Sequence, residues 1–393
     1  LLDLDNLLVA ETPALIDAEN QVAVDAGANA KAALPTGETV LMTAVTGGNA
    51  PVVTRLLAKG ADPNAAQTSK RQTALMWAAT SQNVAIAQAL IEAGADVKAK
   101  SGTGFTPLLF ASREGGIDMA RTLLAARADI NESATDGTTP LLAATVRGHV
   151  DLALFFLAQG AAPEGNPQVG YTPLHWAAGD FEITPITYSG IDAPGEWGAL
   201  TGIPDRAQKF RLVKALLGRG ANANAATTKA IPTMSPLNGG GATPSHIGST
   251  PFIIAAASAD AEMMRFLLAN GADPHMRAKD GYTPLMAACE GLVENAYRLT
   301  EERRLQAIET ALAAGNDIEA YDAKGWRPMH VAARAGFHKV LKWLIDHGAD
   351  MNSKTKATAA GLGYGSYQLQ AQTPRGLAEG TLVGIFYERP ETA

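Results

Sequence analysis

Thr172-Pro173-Leu174-His175-Trp176-Ala177-Ala178 is the stretch from which the rest of the chain is read. Each residue type in it suits the opening of a short helix. The Thr172 hydroxyl can cap the first turn. Pro173 fits the first helical position, where its missing N–H is not needed and its φ is already set. Leu174 faces a core, and Ala177 and Ala178 are small enough for neighbouring helices to approach closely. The same phrase returns, with substitutions, at Thr39, Thr73, Thr106, Thr139, Thr250, Thr283, Arg327 and Thr373. The intervals are 34, 33, 33, 33, 78, 33, 44 and 46 residues. A period of 33 governs the chain, and the longer intervals read as the same unit carrying insertions.

After each phrase come a short turn, a second helix with a Val-x-x-Leu-Leu pattern, and Gly-Ala-Asp or a near variant. Val53, Leu56, Leu57, Gly60, Ala61 and Asp62 show this in one unit; Val213, Leu216, Leu217, Gly220, Ala221 and Asn222 show it in another. The glycine ends the second helix in a left-handed cap. About ten further residues lead to Asp-Gly-x-Thr, as in Asp136–Thr139 and Asp280–Thr283. This combination resembles the ankyrin repeat, over nearly the whole chain. The resemblance implies an all-α solenoid of helix-turn-helix repeats with β-hairpin fingers, about nine to ten repeats long. One continuous core then makes residues 1–393 a single domain, although length alone suggests two or three. Residues 1–38 read as a degenerate N-terminal cap whose first helix starts near Asn6. Residues 39–171 are regular repeats, 172–249 a repeat with two inserts, 250–372 repeats with inserts, and 373–393 a truncated C-terminal cap.

Spacing places the inserts. Gly220 lies 48 residues after Thr172, where Gly94 lies 21 after Thr73, so 27 extra residues, 180–206, fall between two helices. A further 11 fall near 291–302. Two fingers are long as well, 223–249 and 351–372, and both are rich in glycine. Glycine is expensive to order, so each long finger needs a reason to persist.

Composition narrows the function classes. The chain is 47% hydrophobic and 18% charged, which suits a folded protein rather than a disordered one. A net charge of −7 argues against a general nucleic-acid binder, which shows a basic footprint. The single cysteine, Cys289, excludes an intramolecular disulfide and reads as a small buried apolar residue. No apolar run is long enough to span a membrane; the best candidate, 252–268, is broken by Asp260, Glu262 and Arg265. The chain opens on Leu1 rather than Met, as a processed chain or a fragment does.

The search for chemistry returns no catalytic spacing. His-Glu-x-x-His, a phosphate loop ending in Gly-Lys-Ser/Thr and a Gly-x-Ser-x-Gly elbow are all absent. Gly361-Leu362-Gly363-Tyr364-Gly365 has Ser366 where a dinucleotide fingerprint would continue, and no strand precedes it. No cofactor and no metal are expected. His175 and His330 stand at the family's T-P-L-H position, where the resemblance implies a structural hydrogen bond between neighbouring fingers. Elsewhere that position holds Met42, Met76, Leu109, Leu142, Ile253 and Met286, which speaks against a shared ligand. His149 and His338 fall at second-helix starts and His347 near a helix end, where a cation is favourable. Asn131-Glu132-Ser133 is a glycosylation sequon by pattern only.

One stripe stands out. The residue before each repeat start is Glu38, Gln72, Phe105, Thr138, Tyr171, Ser249, Tyr282, Trp326 or Gln372. Four of these nine are aromatic in a chain that is only 6% aromatic, and the resemblance puts the position on the concave face. Exposed aromatics there would be interface anchors; packing between adjacent fingers is the other reading. Trp77 and Trp176 share a different position and read as core. The functional expectation is a non-catalytic scaffold that binds a protein partner through the concave face and the long fingers. Phe105, Tyr171, Tyr282, Trp326, Tyr364 and Tyr367 are the expected contact residues. The alternative is an accessory subunit of an enzymatic complex, or a site carried by the inserts. Long inserts and the closing Pro-Glu-Thr are similar to bacterial ankyrin proteins, which implies an extracytoplasmic location and a stable subunit of a larger complex.

Overall fold

The structure, a computed structural model, describes residues 29–179, 203, 205–229, 247–290 and 300–353. Residues 1–28 of the cap expected at 1–38, the cap expected at 373–393, Tyr364, Tyr367 and most of the inserts lie outside these residues. The described residues form sixteen α-helices in two compact units, the first comprising the described residues up to Val169 together with Ile203, the second the remainder from Gly170 on.

The first unit holds four helix pairs: α1 (Val40–Thr46) with α2 (Ala50–Ala58), α3 (Ala74–Thr80) with α4 (Val84–Glu92), α5 (Pro107–Glu114) with α6 (Ile117–Ala125), and α7 (Pro140–Val146) with α8 (Val150–Ala158). The second holds α9 (Pro173–Ala178) with α10 (Arg206–Gly218), α11 (Pro251–Ala257) with α12 (Ala261–Ala269), α13 (Pro284–Glu290) with α14 (Glu301–Ala313), and α15 (Pro328–Ala335) with α16 (His338–Asp346). Within each unit first helices pack on first helices, and each second helix covers its partner. The resemblance to an all-α repeat solenoid holds.

Sequence chemistry explains where each helix starts. Thr39, Thr106, Thr139, Thr172, Thr250 and Thr283 each accept a hydrogen bond at the side-chain oxygen from the amide three residues on, at 3.1 to 3.4 Å. These are the caps the Thr-Pro phrase predicts. Second helices are capped by Asn49, Asn83 and Asp260 in the same way. They stop where the chain turns left-handed at Gly60, Gly94, Gly160, Gly220, Gly271, Gly315 and Gly348. Six-to-nine-residue helices are too short to stand alone in water, so burial must hold them. Every residue of α7 is buried, and so is every residue of α9. Alanine in these first helices lets three neighbours close in on one short segment.

One expectation needs correction. The inserts do not run up to a standard second helix. Helices α10 and α14 are 13 residues long against nine in the other second helices, so the last part of each insert is an added helical turn. Asp205 and Thr300 cap these early starts. The fingers are short antiparallel hairpin turns, marked among the described residues by the isolated bridges Ala33–Thr39 and Ala66–Thr73. Each is closed by a pair of backbone bonds, such as Ser101 N–H to Phe105 O at 2.9 Å with Gly104 N–H to Ser101 O at 3.0 Å, or Ala134 N–H to Thr138 O at 2.9 Å with Gly137 N–H to Ala134 O at 3.0 Å. The next carbonyl is spent on the neighbouring finger. The amides of Thr68, Gly102 and Thr135 donate to the carbonyls of Thr36, Lys70 and Thr103 at 2.7 to 3.1 Å, and in the second unit those of Lys279 and Ala323 donate to Ile247 and Asp280 at 2.7 to 2.8 Å.

Leu141, in α7 of the first unit's last helix pair, is 1% exposed. Leu141→Ala should destabilise by ~2–5 kcal/mol, as buried leucine truncations do. In a repeat stack the loss falls mainly on adjacent repeats. Amide exchange should therefore accelerate most in α5 to α8; equal acceleration across the whole chain would contradict the nearest-neighbour picture.

Candidate protein-interaction surface

The position before each repeat start is fixed by the finger turn, because its carbonyl closes that turn. Phe105, Tyr282 and Trp326 all accept in this way, from Ser101, Ala278 and Asp322. The side chain then lies beside the first helix of the same repeat, against the residue five on for Phe105 and Tyr171, four on for Trp326 and eight on for Tyr282. Phe105 meets Phe110 edge-on with centroids 5.7 Å apart, and Tyr171 meets Trp176 at 6.1 Å. In the Thr73 repeat the same pairing is polar: Trp77 donates its indole N–H to Gln72 Oε1 at 3.1 Å.

These aromatics do not form one exposed stripe. Phe105 is 1% exposed and Tyr282 5%, so the packing reading holds for both rings. Phe105 is closed in against Phe110, and the Tyr282 hydroxyl donates to Glu290 Oε2 at the end of α13. Tyr171 and Trp326 are partly open to solvent. Beside Trp326 on the same finger, Tyr321 is half exposed, a residue the sequence reading passed over because it lies outside the recurring position. Trp77 is partly open and Trp176 buried.

The T-P-L-H histidines act as the resemblance implies. His175 is fully buried; Thr172 N–H donates to its Nδ1 at 3.0 Å, and its Nε2–H reaches the carbonyls of Ala225 at 2.9 Å and Ser249 at 3.1 Å. One ring thus ties a helix start to both sides of a finger. Burial pulls its pKa down to about 4. His330 repeats the arrangement with Arg327 N–H and the Ser353 carbonyl, and burial lowers its pKa too.

In the Thr106 repeat the histidine position is Leu109, and Glu132 from the following finger takes over the task. The Thr106 hydroxyl donates to Glu132 Oε1. Burial raises the Glu132 carboxyl to about 7, against the Thr106 hydrogen bond and with Asp129, Lys100 and Lys98 nearby. Sequence reading saw Glu132 only as the middle of a sequon. Asn131 in that sequon is engaged, accepting from Ala162 N–H at 2.8 Å across to the next finger. Asn64 and Asn224 fill the same position, accepting from Asp96 and Asp273 amides at 2.7 Å and donating to Gly94 and Gly271 carbonyls at 2.9 Å. The recurrence of Asn two residues after Asp62, Asp129 and Asn222 is the signal that could have revealed this ladder.

Among the described residues no chemical centre assembles. Cys289 is fully buried with its thiol pKa pushed up by burial, the opposite of a reactive thiolate. Among the described residues no group of three or more His, Cys, Asp or Glu side chains is placed to hold a metal ion. No helix among them is long and apolar enough to cross a membrane.

A family model described as "Ankyrin repeats (3 copies)" matches residues 14–101, 41–134, 108–186, 206–303 and 252–355. Among curated proteins, the chain is similar to ankyrin repeat, SAM and basic leucine zipper domain-containing protein 1 of Ornithorhynchus anatinus, with 35% identity over 26% of this chain and 20% of that protein. It is similar to NF-kappa-B inhibitor alpha of Sus scrofa, with 31% identity over 28% of this chain and 33% of that protein. Delta-latroinsectotoxin-Lt1a of Latrodectus tredecimguttatus matches at 52% identity over 11% of this chain and 4% of the toxin. These relatives are animal proteins, and each is spanned over a third of its length or less.

The two buried tethers predict opposite pH responses. His175 ionises near 6.5 when unfolded and near 4 when folded, so its contribution is complete above pH 6.5 and is lost as pH falls toward 4. The loss is at most about 3 kcal/mol from the shift alone. Glu132 ionises near 4.5 when unfolded and near 7 when folded, so its protonated form stabilises below pH 4.5 and that stability is lost as pH rises to 7. Melting curves of His175→Met should flatten the acid limb, and those of Glu132→Gln the limb from pH 4.5 to 7. Unchanged limbs in both variants would refute the assignment.

Proposed function

The chain belongs to the ankyrin-repeat family, and on that premise we propose that it is a non-catalytic scaffold that binds a protein partner through the finger side of its second unit. Ankyrin repeats mediate protein–protein interaction, and the relative from Sus scrofa is by name an inhibitor of NF-kappa-B. What carries the reading for this chain is the partial exposure of Tyr171 and Trp326 at a position whose other aromatics, Phe105 and Tyr282, are closed in. The exposed Tyr321 adds to it. Aromatic rings held by rigid neighbours yet open to solvent have the properties of interface anchors. Trp326 is held from below: its amide donates to Asp322 Oδ1 at 2.8 Å, and its ring lies against His330. The long fingers 223–249 and 351–372, with Tyr364 and Tyr367, belong to the same proposal as segments ordered against the partner. A stable place in a larger complex and an extracytoplasmic location rest on the resemblance of the inserts alone.

The test starts from partners cross-linked to the full chain in its native source. Affinity for the captured partner is then compared among Trp326→Ala, Tyr171→Ala and Phe105→Ala. Trp326→Ala should weaken binding by about 2 kcal/mol or more, a loss typical of anchors. Phe105→Ala should lower the melting temperature before it touches affinity, because that ring is core. Negligible affinity losses from both Trp326→Ala and Tyr171→Ala would remove this surface from consideration.

A further inference from the structure

The first unit carries a feature that repeat packing does not require. Two residues before each described repeat start the chain turns left-handed, and the position is glycine in seven fingers: Gly37, Gly104, Gly137, Gly170, Gly248, Gly281 and Gly325, with φ between 79° and 94°. In the remaining finger it is Arg71, at φ 55°. The conformation suits glycine and strains any side chain. It is also crowded. A Cβ would stand 2.9 Å from Thr68 N at Gly37, 2.8 Å from Thr135 N at Gly104, and 2.8 Å from Lys279 N at Gly248. The residue that faces Arg71's finger through the ladder bond, donating to Lys70 O at 2.7 Å, is itself a glycine, Gly102. The corresponding donors elsewhere are Thr68, Thr135, Lys279 and Ala323. Glycine has changed sides of the contact, and a cation stands at the finger tip in its place.

The surroundings give that cation company. Lys70, Arg71, Lys98 and Lys100 are all exposed on two adjacent fingers, whose spacing the Gly102–Lys70 bond sets. None of the four side chains makes a hydrogen bond or an ion pair with a described residue. The carboxylates of the same fingers, Asp62 and Asp96, are also exposed, and each accepts from the amide two residues on, Asn64 N–H at 2.9 Å and Lys98 N–H at 2.8 Å. Facing Lys98 and Lys100 from the next finger are Glu132, held by Thr106, and Asp129, which accepts from Asn131 N–H at 2.9 Å. On a chain of net charge −7, Lys70 and Arg71 stand side by side at one finger, with Lys98 and Lys100 on the next. Solubility alone would place cations at positions that cost nothing; it does not explain one on a glycine site.

We propose that Lys70, Arg71, Lys98 and Lys100 form a docking edge for an acidic polypeptide segment of the partner. The proposal rests on the reading of the chain as a protein-binding scaffold and adds a chemical class to it. Side chains on rigid turns one finger apart match carboxylates spaced along an extended strand, and such charge complementarity sets specificity and association rate.

The experiment uses the full chain and two fluorescein-labelled probes at low salt, an octaglutamate peptide and an oligo-dT of equal length. Wild type should bind the peptide. The Lys70→Gln/Arg71→Gly/Lys98→Gln/Lys100→Gln variant should lose about tenfold in affinity, and raised salt should erase the difference. Arg71→Gly alone should weaken binding about threefold while leaving the melting temperature unchanged or higher, because the glycine is restored. Removing four scattered cations instead, at Lys59, Lys214, Arg219 and Lys342, should leave affinity within about twofold. Equal losses from the two fourfold variants would overturn the proposal, since net charge alone would then explain binding. Tighter binding of oligo-dT, lost with the same four residues, would overturn it in favour of nucleic acid. If the captured partner is lost on Trp326→Ala but held unchanged by the finger variant, the scaffold reading stands and this edge falls.

Discussion

One carbonyl per finger sets the terms of this structure. In five of the described fingers the residue before the left-handed position (Thr36, Lys70, Thr103, Ile247 or Asp280) gives its oxygen to an amide of the neighbouring finger. A buried backbone group left unpaired is costly, so no finger can be finished alone. The helices are equally dependent, being too short for independent stability. Stacking therefore satisfies hydrogen bonds at one end of each repeat and buries apolar surface at the other, in the same step. The glycine at the turn lets the two backbones come close enough for both.

The threonine at each helix start shows how one requirement is met by different residues. Its backbone amide and hydroxyl need partners on the finger side. His175 provides them from within its own helix, and Met76 presents its sulfur to the Thr73 amide at 3.5 Å. Leu109 cannot, and Glu132 reaches Thr106 from the finger instead. The substitutions leave the fold alike but change its protonation chemistry, because a neutral imidazole and a neutral carboxyl respond to acid in opposite senses. Repeats that look interchangeable in outline are thus unlike in the conditions they tolerate.

Local features of the fold could be read from the sequence; distant ones could not. The Thr-Pro phrase announces helix starts because cap and first turn lie within four residues, and Gly60 or Gly220 announces a helix end for the same reason. The added turns in α10 and α14 were hidden because an insert is recognised by its excess length, not by where its last residues fold. The partner-facing residues were only half legible. Periodicity picks out the position of Phe105, Tyr171, Tyr282 and Trp326, but their exposure depends on what the neighbouring first helix offers: Phe110 for one, Glu290 for another. Glu132 and Arg71 were missed because their meaning lies in a residue one repeat away.

The exchange between Arg71 and Gly102 also bears on how such a chain can change over time. The two positions, 31 apart, meet through the Gly102–Lys70 backbone bond, and a Cβ at 102 would stand 3.4 Å from the Lys70 carbonyl oxygen. A change at either position is therefore felt at the other. Reversing one without the other would not retrace half the path, since contacting residues combine non-additively. A repeat array, for all its modularity, keeps a record of sequence history at the seams between its modules.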